Sequence, residues 1–292
     1  MYELVPISGD SYYIQSPSRV GLFKLDDRDV CLIDSGNHRD AAKKLLRILE
    51  EKGWTLKAVF NTHSHADHIG GDKLLAERTG CRIYAPGMEC AFTRHPELEP
   101  AFLYGAFPVA ELKHKFLMAE PSPAEYLTPE LLPDGMEMIE LPGHTFGMVG
   151  FRTRDDVVYL ADCLSSRETL DKYKIGFIYD VGAYLATLEK VKSMRARMFV
   201  PAHAEPSEDV SELAAYNIER TLEVAERIRG FCREPVMFEE LLKKLFDAYD
   251  LTLSFEQYVL VGSTVRSYLA WLKANGRAQA EFRDNRLLWH AL

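Results

Sequence analysis

The 292-residue chain lacks any apolar run near the roughly 18–20 residues that a bilayer-spanning helix needs, so the sequence predicts no membrane segment. Cysteine is scarce: five residues are scattered without a Cys-x-x-Cys pair, which argues against a disulfide framework and favours a reducing compartment. The first residues, 1–6, show neither a basic stretch nor an apolar stretch of a secretory signal, so we expect a cytoplasmic protein.

Basic residues are also few relative to acidic ones. Lysine and arginine total 35 against 44 aspartates and glutamates, a formal net charge of −9. General nucleic-acid binders usually carry a basic surplus, so the composition does not favour that class. Hydrophobic residues make up 47% of the chain, enough for a large core, and the length favours one large domain or one large plus one small domain.

Strand-like and helix-like segments alternate through the first 85 residues. The apolar run 30–33 is followed by residues 39–52, whose apolar positions Ala42, Leu45, Leu46 and Leu49 have helical spacing. A second short strand covers 56–60, a helix 70–79 and another strand 81–85. The pattern resumes after Gly135, with strands at 137–141, 149–153, 157–160 and 198–200 and helices at 184–193 and 208–229. This alternation predicts a layered α/β domain.

Two regions depart from that pattern. Residues 86–132 contain seven prolines among many aromatics and predict an irregular or short-helical insertion, either a lid or a structural cover. Residues 231–292 predict a helix over 238–249, one or two helices within 254–274, and a hairpin over 277–289, the outline of a small winged helix. We therefore predict a catalytic domain over 1–230 and a winged-helix-like domain over 231–292.

The strongest chemical signal is the segment 62–71, which holds His63, His65, Asp67 and His68 directly after an apolar strand. Imidazole and carboxylate are the side chains that zinc and similar divalent ions prefer. In extended backbone, His63 and His65 point the same way, which suits two ligands of one ion. Asp67 and His68 follow the turn and can face a second ion.

Three later strands also end in residues of the metal-binding type, namely His144, Asp162 and His203. A sheet that brings its strand ends together would gather them with the 62–71 segment at one edge. The ordered set His-x-His-x-Asp-His, Gly-His-Thr, Asp-Cys and a late histidine resembles the metallo-β-lactamase superfamily of hydrolases over about residues 10–205. The tail resembles the subfamily with a C-terminal helical, winged-helix-like domain.

This resemblance implies a four-layer αβ/βα sandwich with two divalent metal ions at one edge. It implies that His63, His65 and His144 hold one ion, that Asp67, His68 and His203 hold the other, and that Asp162 bridges them. The absence of a thiolate from this set fits zinc best, with iron or manganese left open. Cys163 is expected to be a packed core residue, and Asp34 to be a structural residue beside the ligands.

Two metal ions in this arrangement would share a hydroxide that attacks an ester-like bond: a thioester, lactone, amide or phosphodiester. Asp67 is expected to orient the nucleophile or pass a proton. Tyr173, Phe177 and Tyr179, which follow the Asp162 loop, are expected either to line the substrate or to pack in the core.

Two other functions stay open at this stage: a metal-dependent ribonuclease or phosphodiesterase, and a non-catalytic regulator that binds DNA or senses a ligand. The tail, residues 232–292, carries eight basic and eight acidic residues, so its charge does not favour nucleic acid. A wall of the substrate cleft or a homodimer contact is the expected role of the tail, and a small molecule the expected substrate.

Overall fold

The first sheet forms from the N-terminal half of the chain, as seen in a computed structural model that describes residues 2–292. Its seven strands lie in sequence order, antiparallel from β1 to β4 and parallel from β4 to β7. The elements are β1 (Glu3–Ser8), β2 (Ser11–Gln15), β3 (Val20–Lys24), β4 (Asp29–Ile33), α1 (His38–Lys52), β5 (Thr55–Phe60), α2 (Ala66–Ile69), α3 (Asp72–Thr79), β6 (Arg82–Ala85), α4 (Gly87–Arg94), α5 (Leu98–Tyr104) and β7 (Glu125–Tyr126).

The second sheet has four strands in the order β11-β10-β9-β8, with β10 and β11 parallel and the other pairs antiparallel. The remaining elements are β8 (Met136–Glu140), β9 (Val149–Thr153), β10 (Val157–Ser165), α6 (Arg167–Tyr173), α7 (Val181–Ser193), β11 (Met198–His203), α8 (Ser211–Phe231), α9 (Phe238–Tyr249), α10 (Phe255–Ala274), β12 (Ala278–Arg283) and β13 (Arg286–Ala291).

Alternation along the buried strands produces the layers. In β4, Val30 and Leu32 join a cluster with helix α1, while Cys31 and Ile33 face the other sheet. Tyr159 of β10 likewise packs between the two sheets. The residues next to Tyr159 along the strand lie on the opposite face and pack against α7 and α8. Both sheets are therefore covered on both faces, which gives the four-layer sandwich and confirms the predicted fold class.

The insertion is short-helical, as its prolines predict, because α4 and α5 are brief and separated by turns. The sequence did not predict the short strand at its end, where β7 pairs with β6 and extends the first sheet. The insertion also packs on the C-terminal region, where Leu103, Leu112 and Leu117 form a cluster with Val259 of α10. The insertion therefore contacts both the first sheet and the C-terminal region, and its role as a lid or a cover stays a prediction.

The C-terminal region consists of α9, a single unbroken α10 and the hairpin β12–β13, which turns between Arg283 and Arg286 as predicted. One hydrophobic cluster runs from Leu160 of the second sheet through Leu188 and Ile228 to Leu245 and Tyr268. The helices of the tail thus share a core with the sandwich; the domain boundary near residue 230 stays a prediction. Within the described residues, no helix combines the length and the apolar character needed to cross a membrane.

Candidate metal centre

Four chain segments converge at one edge of the sandwich. The segment holding His63 and His65 links β5 to α2, and His144 follows β8. Asp162 lies within β10, and His203 ends β11. The convergence follows from the topology: β5 runs parallel to β4 in one sheet, β11 runs parallel to β10 in the other, and their carboxyl ends meet at this edge.

The first group of potential ligands consists of His63, His65, His144 and Asp162, whose ligand atoms all lie within 4.8 Å of one another. The Nδ1 atom of His65 lies 3.2 Å from Nε2 of His63 and 3.1 Å from Nε2 of His144. The Oδ2 atom of Asp162 lies 3.5 Å from His144 Nε2. Three imidazole nitrogens and one carboxylate oxygen thus point at one small volume.

The second group consists of Asp67, His68, Asp162 and His203, with the same 4.8 Å limit. Nε2 of His203 lies 3.1 Å from Asp67 Oδ2 and 3.3 Å from Asp162 Oδ2. Nε2 of His68 lies 3.1 Å from Asp162 Oδ1. Asp162 therefore belongs to both groups, and the structure brings together all seven side chains that the sequence singled out.

Buried Asp34 positions the histidine segment. Its Oδ1 accepts a hydrogen bond from the backbone N–H of Thr62 at 2.8 Å, and its Oδ2 accepts one from the Thr62 hydroxyl at 2.8 Å. The same Oδ2 lies 2.7 Å from Nδ1 of His68, which leaves Nε2 of that ring to face Asp162. The expected structural role of Asp34 agrees with these contacts. Partners of this kind fix the tautomer and the direction of a metal-binding imidazole.

Two further histidines are held in the same manner. Nδ1 of His144 lies 3.0 Å from the backbone oxygen of Phe177, and Nδ1 of His63 lies 3.0 Å from the hydroxyl oxygen of Thr62. In both rings Nε2 is then the atom left to face the first group. These orientations are set by the protein alone, so the site is preorganised.

The electrostatics of the two groups differ. Burial lowers the pKa of His65 and of His144 to about 4, so both rings are neutral at pH 7 and their ligand nitrogens carry free lone pairs. The carboxylate of Asp162 raises the pKa of His203 to about 10. The pKa of His68 is also raised: burial opposes this, but the carboxylates of Asp162, Asp67 and Asp34 outweigh it. The second group therefore holds protons that a cation would displace.

The donor set fits divalent metal ions. Oδ1 of Asp162 is buried and, among residues 2–292, receives no hydrogen bond, although His68 Nε2 lies 3.1 Å away. A buried carboxylate oxygen without a donor is costly, and a bound cation would relieve that cost. Imidazole nitrogens together with carboxylate oxygens are a ligand set that suits zinc and related ions.

The insertion contributes two buried carboxylates that sequence reasoning missed. Glu89 accepts hydrogen bonds from the backbone N–H of Ser64 at 3.0 Å and of Gly147 at 3.0 Å, and so joins the two histidine loops. Oε1 of Glu99 lies 3.7 Å from Nε2 of His65, and burial, with the nearby Glu89, raises the pKa of Glu99 to about 8. Neither glutamate has a spacing typical of a known motif, so the sequence of this proline-rich stretch did not indicate that they contact the histidine loops.

The predicted substrate residues lie around the centre at different depths. The ring of Phe177 packs edge-on against His65 and His144, with centroids 5.3 and 5.7 Å away. Tyr179 packs against Phe146, with ring centroids 4.3 Å apart. Half-exposed Tyr173 lines a cavity that adjoins His203. Their roles in binding stay predictions. Cys163 is fully buried in the hydrophobic cluster of the second sheet, as expected.

Gly143 shapes the turn that presents His144. Its φ of +120° is one that residues other than glycine rarely adopt, and a Cβ there would lie 2.2 Å from the backbone nitrogen of Tyr184. We expect Gly143→Ala to lower the free energy of unfolding by at least ~2 kcal/mol and to weaken metal binding by displacing His144. The matched control is Gly147→Ala, where a Cβ meets nothing within 4 Å and a change within about 0.5 kcal/mol is expected. Urea denaturation of the two variants measures their free energies of unfolding. Equal values would contradict the structural role of Gly143.

Comparison with known proteins agrees with the fold and the site. Residues 11–203, more than half of the chain, match the metallo-beta-lactamase superfamily. A metallo-beta-lactamase family protein from Thermus thermophilus superposes with a TM-score of 0.72 at 19% identity, covering 100% of this chain and 98% of that one. A beta-lactamase domain protein from Burkholderia ambifaria gives 0.76 at 16% identity, covering 99% and 94%. These two structures establish the fold.

Among curated proteins, the hydroxyacylglutathione hydrolase of Methylococcus capsulatus (strain ATCC 33009 / NCIMB 11132 / Bath) is 32% identical over 117 residues, 39% of this chain. The matched part spans only 36% of that relative's length. The fold and the two groups of histidines and aspartates that could hold metal ions agree with this family match. The chain belongs to the metallo-beta-lactamase superfamily.

Proposed function

We propose that this protein is a dinuclear metal hydrolase, most simply with zinc, that cleaves an ester-like bond, with thioesters as the first class to test. The observation that carries the proposal is the shared position of Asp162, which belongs to both groups of potential ligands. Its Oδ2 lies 3.5 Å from His144 Nε2 of the first group and 3.3 Å from His203 Nε2 of the second, so this carboxylate suits a bridge between two cations. The expected ligands are those predicted from the sequence: His63, His65 and His144 for one ion, and Asp67, His68 and His203 for the other, with Asp162 between them.

Bound divalent ions at this position would supply a water of lowered pKa and polarise a carbonyl oxygen of the substrate. Asp67 is the residue best placed to orient that nucleophile and to accept its proton. Its side chain is about a third exposed, and its Oδ2 accepts a hydrogen bond from Ser18 Oγ at 3.3 Å. Phe177 shields His65 and His144 from solvent on the other side, which keeps these rings neutral.

The surroundings of the centre support a carbonyl substrate over a phosphodiester. A cavity of about 650 Å³ adjoins His203, and the described residues that line it include one lysine, Lys172, and two glutamates, Glu168 and Glu256. A nuclease needs a basic groove to bind the phosphate backbone, whereas the two glutamates of this lining offset the positive charges of Lys172 and His203. The named activity of the curated relatives, hydrolysis of a glutathione thioester, supports thioesters as the first class.

The remaining expectations belong to the same proposal. All five cysteines are buried and unpaired within residues 2–292, which supports action in the reducing cytoplasm. The winged-helix-like tail is proposed to serve as a wall of the substrate cleft, since α10 residues line the 650 Å³ cavity.

The test combines metal analysis with a panel of thioester, lactone and phosphodiester substrates on the wild type and on His68→Ala. We expect two zinc ions per chain and thioester or lactone turnover in the wild type. In His68→Ala we expect metal content to fall to about one ion and kcat/KM to fall at least ~100-fold, because the second group loses a buried ligand. His95→Ala, at an exposed histidine that belongs to neither group of potential ligands, is the control and should match the wild type.

Two outcomes would count against the proposal. Unchanged metal content and turnover in His68→Ala would contradict the assignment of the second ion. Turnover of phosphodiesters alone would replace the ester hydrolase by a nuclease.

A further inference from the structure

The cavity beside His203 lies between two parts of the chain that are distant in sequence. One wall comes from α6 and the loop after it, through Leu170 and Ile175, and the opposite wall from the first turns of α10, through Leu260 and Val261. Its volume, about 650 Å³, falls within the range of small-molecule sites, about 300–1,000 Å³. Because His203 itself lines the cavity, a molecule held there reaches the metal centre directly.

Apolar side chains form part of both walls of this cavity. Ile175 and Val261 are buried, and Phe177, which lies edge-on to two of the candidate ligand rings, lines the cavity as well. Chains of methylene groups are favoured in such surroundings, because each methylene group is removed from water. The walls therefore suit a hydrocarbon chain better than a sugar or a peptide.

Charge around the cavity does not favour an anionic occupant. Glu168 and Glu256 lie on opposite walls and offset the two basic side chains of the lining, Lys172 and His203. Lys172 lies with its Nζ 4.7 Å from the ring centroid of Tyr173 and donates a hydrogen bond to the hydroxyl of that residue at 3.2 Å. Glutathione carries two carboxylates and one ammonium group, so its tripeptide would meet like charge here, which costs affinity.

On the basis of the proposed hydrolase function, we propose that the cavity binds the uncharged, apolar acyl chain of a thioester or ester, and that α10 sets the chain length accepted. The scissile carbonyl would then lie at the mouth, beside His203, with the chain between Leu170 and Leu260. The bond that breaks is the acyl C–S or C–O bond; water adds to the carbonyl carbon, and the thiol or alcohol leaves with a proton. This specificity differs from that of the hydroxyacylglutathione hydrolases among the curated relatives.

The experiment measures kcat/KM of the metal-loaded, full-length protein on acetyl, butyryl, hexanoyl and octanoyl thioesters of N-acetylcysteamine, and on lactoylglutathione. We expect kcat/KM to rise at least ~10-fold from acetyl to octanoyl and to be lowest for lactoylglutathione, since one methylene in an apolar pocket is worth up to about 10–200-fold. Gln257→Trp, on the cavity wall, should lower the octanoyl-to-acetyl ratio at least ~10-fold. Gln279→Trp, on the exposed hairpin, is the matched control and should keep the wild-type ratio.

A second measurement does not depend on how the variant folds. Octanoate, the carboxylate product of the longest substrate, should inhibit the wild type at a concentration at least ~10-fold lower than acetate does. Equal kcat/KM for all four acyl groups, a preference for lactoylglutathione, or equal inhibition by octanoate and acetate would overturn the acyl-chain pocket while leaving the hydrolase proposal standing. No turnover of any thioester or ester by protein that retains its metals would instead overturn the proposed function, and the acyl pocket with it.

Discussion

Asp162→Asn is expected to lower kcat/KM for the preferred substrate by at least ~1,000-fold, a loss of about 4 kcal/mol of transition-state stabilisation. The reason is that Asp162 belongs to both groups of potential ligands: its Oδ2 lies 3.5 Å from Nε2 of His144 and 3.3 Å from Nε2 of His203. An amide presents one oxygen and one N–H₂ donor, so it cannot offer a negatively charged oxygen to both groups. Metal content, measured by elemental analysis after dialysis, should fall for both ions.

The control for this variant is Asp134→Asn, at an exposed aspartate that belongs to neither group of potential ligands, and it should keep the wild-type metal content and activity. Loss of activity with full metal content would mean that Asp162 acts on the substrate and not on the ions. Wild-type activity and metal content in Asp162→Asn would contradict the assignment of Asp162 to both metal ions. The thermal midpoint of the metal-free variant separates these outcomes from simple misfolding.

The seven candidate ligands could be predicted because each lies shortly after an apolar run in the sequence. Alternation and apolar runs locate strands well, and the ends of strands in one layered fold meet at an edge. The residue types at those ends, five histidines and two aspartates, then identify the edge as a metal centre before any coordinates are known. The resemblance already implied a shared Asp162, which belongs to both groups in the structure. The structure adds a contact that the sequence pattern does not contain, the link that Asp34 makes between Thr62 and His68.

The parts that escaped prediction depend on packing between distant segments. Glu89 and Glu99 reach the histidine loops from the insertion, and the path of a proline-rich segment is fixed by tertiary contacts and not by periodicity. The pairing of β7 with β6 has the same origin, since two residues are too few to produce an alternating pattern. The composition of the tail predicted its helices and hairpin but not that Tyr268 and Leu269 pack into the core of the second sheet.

That shared core leads to the second large effect. Leu269 of α10 is fully buried in the cluster that also contains Leu160 of β10 and Leu188 of α7. We expect Leu269→Ala to lower the free energy of unfolding by about 2–5 kcal/mol, through lost apolar burial and the cavity left behind. Hydrogen exchange followed by mass spectrometry should become faster in β10 and α7 as well as in α10, because all three elements pack in one cluster.

The control is Leu253→Ala, which removes the same atoms from a side chain that is 56% exposed and should change stability by less than about 0.5 kcal/mol. Faster exchange confined to residues 231–292 of Leu269→Ala would mean that the tail opens as an independent domain, as the predicted boundary near residue 230 implies. Faster exchange that extends to β10 would mean that the tail and the sandwich open together. In that case a change on α10 also destabilises β10, the strand that holds Asp162.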